Sequence, residues 1–149
     1  ISGNVLTGSN VGAEGSLDFY SNMVSVISEG NYYEMFGWVK PMRFGKFSFS
    51  KSYFSWLTPN KKYKVDTNLN GGHRAFVVSD VYGKVLPMDI YPVYLLKAIL
   101  AEDIDMIEQL GIPELIGEDL ALGEYVSPSK IDIQDIVAKG IATMIKEMA

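Results

Sequence analysis

The stretch IDIQDIVAKGIATMIKEMA, residues 131–149, carries the clearest periodic signal in the chain. Ile133, Ile136, Val137, Ile141, Met144, Ile145 and Met148 recur at the spacing that lines one face of an α-helix. Asp132 stands where an N-cap would accept a backbone N–H. A lone helix of this length is marginal in water, so the pattern predicts neighbours to pack against. Working back, Asp89 is expected to cap a helix running to about Ala101, with Pro92 in its first turn. Further short helices are expected over 102–110, stopped by Gly111 before Pro113, and over 113–122. Residues 83–149 therefore read as a small helical bundle.

Upstream of Val85 the grammar changes. Residues 1–15 are rich in Gly, Ser and Asn and read as a loop. Mixed β-branched, aromatic and polar runs predict strands at 17–28, 34–39 and 46–50, the last being the alternating KFSFS. Residues 53–57 fit helix and strand equally. Two more β-like runs, 63–69 and 73–78, flank Asn70, Gly71 and Gly72, residue types that accept the positive φ of a tight hairpin. The expected fold class is α+β: a β-rich part over 1–82, then the helical bundle over 83–149.

Composition limits the chemistry. The chain has 149 residues, 48% hydrophobic and 21% charged, which is a globular balance. No apolar run reaches the ~18–20 residues of a membrane span. There is no cysteine, which excludes disulfides, thiolate metal sites, cysteine nucleophiles and all-cysteine iron–sulfur clusters. A single histidine argues against multi-histidine zinc sites, and no metal is expected. The chain begins with Ile1, without an initiator Met, a charged leader or a cleavage site, and reads as a piece of a longer protein. Its net charge of −5 is unevenly spread. Lys40, Arg43, Lys46, Lys51, Lys61, Lys62 and Lys64 fall in a stretch without acids, whereas 98–129 carries eight acids and no Lys or Arg. Such segregation marks either a partner-facing surface or an attraction between the two halves.

No catalytic constellation emerges from the residues. The glycines of GNVLTGSNVG, 3–12, match no phosphate-binding pattern. His73, beside Arg74, has Asp66 and Asp80 as orienting carboxylates near in sequence, but no third catalytic group is identifiable. Arg74 suits a carboxylate partner. Glu102, Asp103, Asp105 and Glu108 lack the turn of a calcium loop and fit a solvated helix start. The basic stretch interleaves Phe44, Phe47, Phe49, Tyr53, Phe54, Trp56 and Tyr63 with lysines, a pattern shared by single-strand nucleic-acid modules and half-buried strands. The overall acidity weighs against nucleic acid. The same aromatics, with His73 or Arg74 as donors, also suit a quinone pocket.

GEDLALGEYVSPSKIDI, 117–133, has the layout of a loop holding a metal cluster between helices, yet Gly123 and Ser127 stand where thiolates would be sought. EMFGW (34–38), NGGHRAFV (70–77), KVLPMDIYPVYLL (84–96) and, within that loop, EDLALGEYVSPSK (118–130) together resemble, in order and over nearly all of the chain, the C-terminal third of the A subunit of the sodium-translocating NADH:quinone oxidoreductases. The resemblance implies a peripheral subunit on the cytoplasmic side of the bacterial inner membrane, without a transmembrane segment. It also implies a fold similar to the flavin-carrying, NADH-binding subunit of respiratory complex I. There a β-grasp-like domain precedes a helical bundle whose cysteines hold an iron–sulfur cluster; many members of the family keep cysteines at the positions of Gly123 and Ser127. The piece itself is expected to carry no cofactor and to be non-catalytic, with NADH, flavins, iron–sulfur centres and ubiquinone belonging to the whole sodium-exporting complex. Expected partners are the other subunits, above all one embedded in the membrane, with ubiquinone as a further candidate and no nucleic acid. Trp56, His73 and Arg74 are the candidate contacts for quinone or partner.

Overall fold

Helix α4 spans Ile133–Met148 and organises the C-terminal half. The computed structural model describes all residues of 1–149 except Trp38, Pro41, Ser52 and Ala149. Along α4 the buried positions are Ile133, Val137, Gly140 and Met144, a seam that faces α1 (Pro92–Leu100), α3 (Ala121–Val126) and the 3-10 turn at Gly117–Leu120. Ile136 and Ile141 flank this seam and are partly buried. Ile145 and Met148, expected on the packed face, are instead 63% and 74% exposed. At ~1.5 Å per residue α4 outruns the shorter α1, so the stripe continues past the surface that would cover it.

Helix α1 begins with Pro92 at its first position, where a missing N–H costs nothing, and the Leu95 N–H reaches back to the Tyr91 carbonyl at 3.0 Å. The residue before the helix is thus Tyr91; Asp89 lies too far upstream to cap it. Helix α2 (Ile104–Gln109) is shorter than expected, because Asp103 caps it by accepting from the Met106 N–H at 3.1 Å. It ends before Gly111, whose φ of 87° only glycine adopts freely. The helix expected over 113–122 is broken into 3-10 turns at Ile112–Glu114 and Gly117–Leu120 followed by α3. The core gathers Tyr82, Leu95, Leu96, Ile107, Ile112, Leu120, Ile133 and Val137. Burial of each large aliphatic is worth roughly 1.5–3 kcal/mol relative to exposure.

The β-rich part expected over 1–82 is absent as a sheet. Among the described residues no strand forms; the pairings are isolated bridges, Ser2 with Ser9 and Val24, and Ser28 with Asp66. The 34–39 expectation includes Trp38, which lies outside the described residues. Asn70 does take positive φ, at 49°, but the segments on either side of it do not pair as a hairpin. KFSFS alternates without a ladder, and both Phe47 and Phe49 are exposed. Alternation records a local preference, whereas a strand is stabilised by the neighbour beside it. Residues 53–57, open between helix and strand, contain a 3-10 turn at Phe54–Leu57.

By compactness the chain forms two units, one made of 1–25 with 71–149 and the other of 26–70. In the first, residues 1–25 are looped back on themselves, Ser2 and Ser9 exchanging backbone bonds of 2.9 and 3.1 Å. Gln134 at the start of α4 donates its side-chain amide to the Leu6 carbonyl at 3.0 Å. In the second, Gly30 N–H reaches the Thr67 hydroxyl at 2.8 Å, the Tyr32 hydroxyl donates to Asp66 at 3.0 Å, and Lys40 and Arg43 both pair with Glu34.

Candidate functional site

Ser127 closes α3, its N–H bonded to the Glu124 carbonyl at 3.2 Å, and is wholly buried. Its hydroxyl meets the Tyr82 hydroxyl at 3.1 Å, also in the interior. A side chain on Gly123 would sit in ordinary contact with the Tyr82 ring, 3.6 Å away, and with Ile133. The two positions that invite thiolates in the sequence therefore border one tyrosine ring. That ring is only 1% exposed, and edge-on packing against Phe76 holds it.

The loop after α3 is pinned on every side. Ser129, 1% exposed, accepts the Arg74 N–H on its carbonyl at 2.9 Å and donates its hydroxyl to the Ala75 carbonyl at 3.0 Å. The run expected as the second half of a hairpin is thus held by this loop. Glu124 accepts both the backbone N–H of Gln134 at 3.1 Å and its side-chain amide at 3.4 Å, which ties the end of α3 to the start of α4. Lys130 follows with φ of 54°, and its burial pushes the ammonium below the usual lysine range. The side chains of Ser127, Ser129, Glu124 and Tyr82 bond to the fold itself, so the arrangement fixes a chain path.

The exposed candidates are placed as follows. His73 and Arg74 are exposed in the unit containing the helices. Asp80 is taken up by Lys84 at 3.4 Å, and Asp66 by Tyr32 and Lys46, so neither carboxylate orients an imidazole. Trp56 lies in the 26–70 unit, in the turn Phe54–Leu57, with its indole half exposed. The acids of 102–108 serve the start of α2 through Asp103, and no group of three His, Asp or Glu able to hold a metal occurs among the described residues. In 26–70, hydrogen bonding by Lys40, with the nearby Arg43, holds the Glu34 carboxyl below its usual range. The Tyr32 hydroxyl, with Lys46, does the same for Asp66.

An open cleft of about 580 Å³ lies between the 4–7 turn, Val85, Pro87, Ala121 and Leu122, with Glu118 and Asp119 contributing its acids. Tyr82 is the residue that sequence reasoning missed. One aromatic in a short VYGK turn has no periodicity to flag it, and only the chain path brings it beside Gly123 and Ser127.

No family model matches the chain. It is 41% identical over 148 residues to the A subunit of the Na(+)-translocating NADH-quinone reductase of Rhodopirellula baltica, covering 99% of this chain and 32% of that protein. Against the corresponding subunit of Neisseria meningitidis serogroup B the identity is 40%, over 99% of this chain and 33% of the relative. For that of Vibrio campbellii it is 37%, again over 99% of this chain and 33% of the relative. The chain thus spans about a third of the length of the curated relatives it matches, and the likeness first carried by four short strings extends through almost every residue.

Proposed function

We propose that this chain, a homologue of about one third of the A subunits of Na(+)-translocating NADH-quinone reductases, is a non-catalytic portion of such a protein that serves assembly of the complex. The observation that carries this reading is Tyr82, whose ring a side chain at position 123 would touch and whose hydroxyl is hydrogen-bonded to that of Ser127. The positions that would hold a cluster are committed to packing, and the work left to them is to hold α3, α4 and the 73–75 segment in one body. Among the described residues no helix is long and apolar enough to cross a membrane, which fits a peripheral place on the complex. Oxidation of NADH, reduction of ubiquinone and sodium export would belong to the assembled complex, with its flavins and iron–sulfur centres carried by other parts.

Purifying the intact complex with and without this region, and assaying quinone reduction in both, tests the reading. Loss of co-purifying subunits is expected; a fully assembled, active complex lacking the region would overturn it. A second reading is contact with ubiquinone, either at exposed Trp56 in 26–70 or, separately, at exposed His73 and Arg74 in the helical unit, and photolabelling of the complex by a reactive quinone would detect it.

A further inference from the structure

Residues 26–70 combine two properties that a folded surface in water does not ordinarily combine. In this unit the buried positions among the described residues are Gly37 and Ser55, neither of which brings an apolar side chain. Tyr33, Met35, Phe36, Met42, Phe44 and Trp56 are all between 50% and 97% exposed. Exposed apolar side chains scattered singly need no explanation, but this many within one short unit mark a contact surface.

The charge of the same unit says what the contact is with. Seven basic and three acidic side chains give 26–70 a net charge of +4, while the remainder of the chain carries −9. Glu34 is paired with Lys40 and Arg43, and Asp66 with Lys46. Among the described residues Lys51, Lys61, Lys62 and Lys64 have no carboxylate in ion-pair range. The occupant of this surface is therefore anionic and able to take up aromatic rings. Exposed Tyr, Trp, Phe and Met side chains in a unit of net positive charge match the layer between lipid headgroups and acyl chains, where a ring with a polar edge has partners on both sides. A protein partner would require the anchors to converge on shaped pockets, whereas a fluid lipid surface accepts each ring where it stands.

We propose that residues 26–70 dock on an anionic lipid surface, with the exposed aromatic and Met side chains in the interfacial layer and Lys51, Lys62 and Lys64 at the headgroup phosphates. Lipid docking and assembly into a complex are separate properties, and either can fail without the other.

Both tryptophans of the chain, Trp38 and Trp56, fall in 26–70, so intrinsic fluorescence reports on this unit alone. The purified chain is titrated with vesicles of phosphatidylcholine, with and without about one third phosphatidylglycerol. A blue shift and co-sedimentation are expected with the anionic vesicles only, and both should fade as salt is raised. The acidic net charge of the whole chain predicts the reverse, repulsion from such vesicles. Replacing Lys51, Lys62 and Lys64 by Gln should weaken partitioning on the order of a hundred-fold, from about one kcal/mol per lysine near the surface. Tyr33→Ser with Met35→Ser should weaken it about tenfold or more, with the salt dependence kept. Circular dichroism identical to the parent's shows that the variants fold. Binding to neither vesicle, or to both equally, overturns the proposal. An equal blue shift with soluble polyglutamate assigns the surface to an acidic protein partner and overturns it too, as does tight binding of single-stranded oligonucleotide without vesicle binding.

Discussion

In the helical unit Leu95, Leu96, Ile112, Ile133 and Val137 are fully enclosed and the bonds at the surface are secondary; in 26–70 that order is inverted. There the apolar side chains face outward, and the structure is held by Glu34 with Lys40 and Arg43, Asp66 with Tyr32 and Lys46, and Arg43 with the Tyr53 hydroxyl. Cations also lie over rings, Lys46 near Tyr32 at 5.1 Å and Arg43 near Tyr53 at 5.6 Å. The difference follows from the residues. Aliphatic side chains at helical spacing satisfy their backbone locally and still share one core, whereas aromatics broken up by Gly37, Gly45 and Pro59 form neither a long helix nor a paired strand. An aliphatic core resists acid and salt; a scaffold of exposed ion pairs gives way to both.

The largest test of this contrast is a charge in the seam. Val137→Asp places a carboxylate where no water reaches and should cost more than about 3 kcal/mol, enough to unfold the helices, while Ile145→Asp on the exposed flank should change little. Helical circular dichroism separates the two; equal melting would mean that α4 does not pack as described. Next comes Gly140→Leu. Even a single carbon added at Gly140 would approach Ile112 and Ile99 to 2.8 and 2.9 Å, so a leucine should lower stability by about 1–3 kcal/mol in thermal melts.

Ser127→Ala should cost about 1–2 kcal/mol by leaving the buried Tyr82 hydroxyl unpaired, and Tyr82→Phe in the same chain should recover part of that loss. A double-mutant cycle without coupling would remove the bond from the account. In 26–70 the sensitive variable is pH. Glu34 and Asp66 both have lowered pKa values, so their contribution is complete above the ordinary carboxylate values of 4.5 and 3.8 and is lost as pH falls below them toward the lowered ones. Tryptophan emission should shift in that window before helical dichroism falls; simultaneous loss would erase the distinction between the units. The smallest effect is expected at Tyr63→Phe. Its hydroxyl is buried without a partner among the described residues, so its removal should be neutral or stabilise by up to about 1 kcal/mol in a denaturant titration.

The helices were legible because their signals are local. The apolar spacing of α4, the Gly111 stop and Pro92 in the first turn of α1 each depend on residues within one or two turns. The expected β part rested on alternation in KFSFS and on Asn70–Gly72, and neither names a partner strand. Ile145 was placed on the packed face because periodicity records which side of a helix is apolar, not where the covering element ends. At the candidate site, the importance of Gly123 and Ser127 came through the family likeness. Their common neighbour Tyr82 lies 45 positions from Ser127, beyond any local rule.

The bond from Gln134 to Leu6 joins residues 128 positions apart, across the whole of 26–70. In kinetic terms the helices can nucleate from contacts of short range, while the first 25 residues must wait for a long loop to close. Closure entropy rises only slowly with length, by about 0.6 kcal/mol per doubling, so the intervening segment delays docking more than it weakens the docked state. The amino-terminal loop is thus the natural last step of folding, and the stretch between is an insertion whose length can vary with little penalty to the body it interrupts.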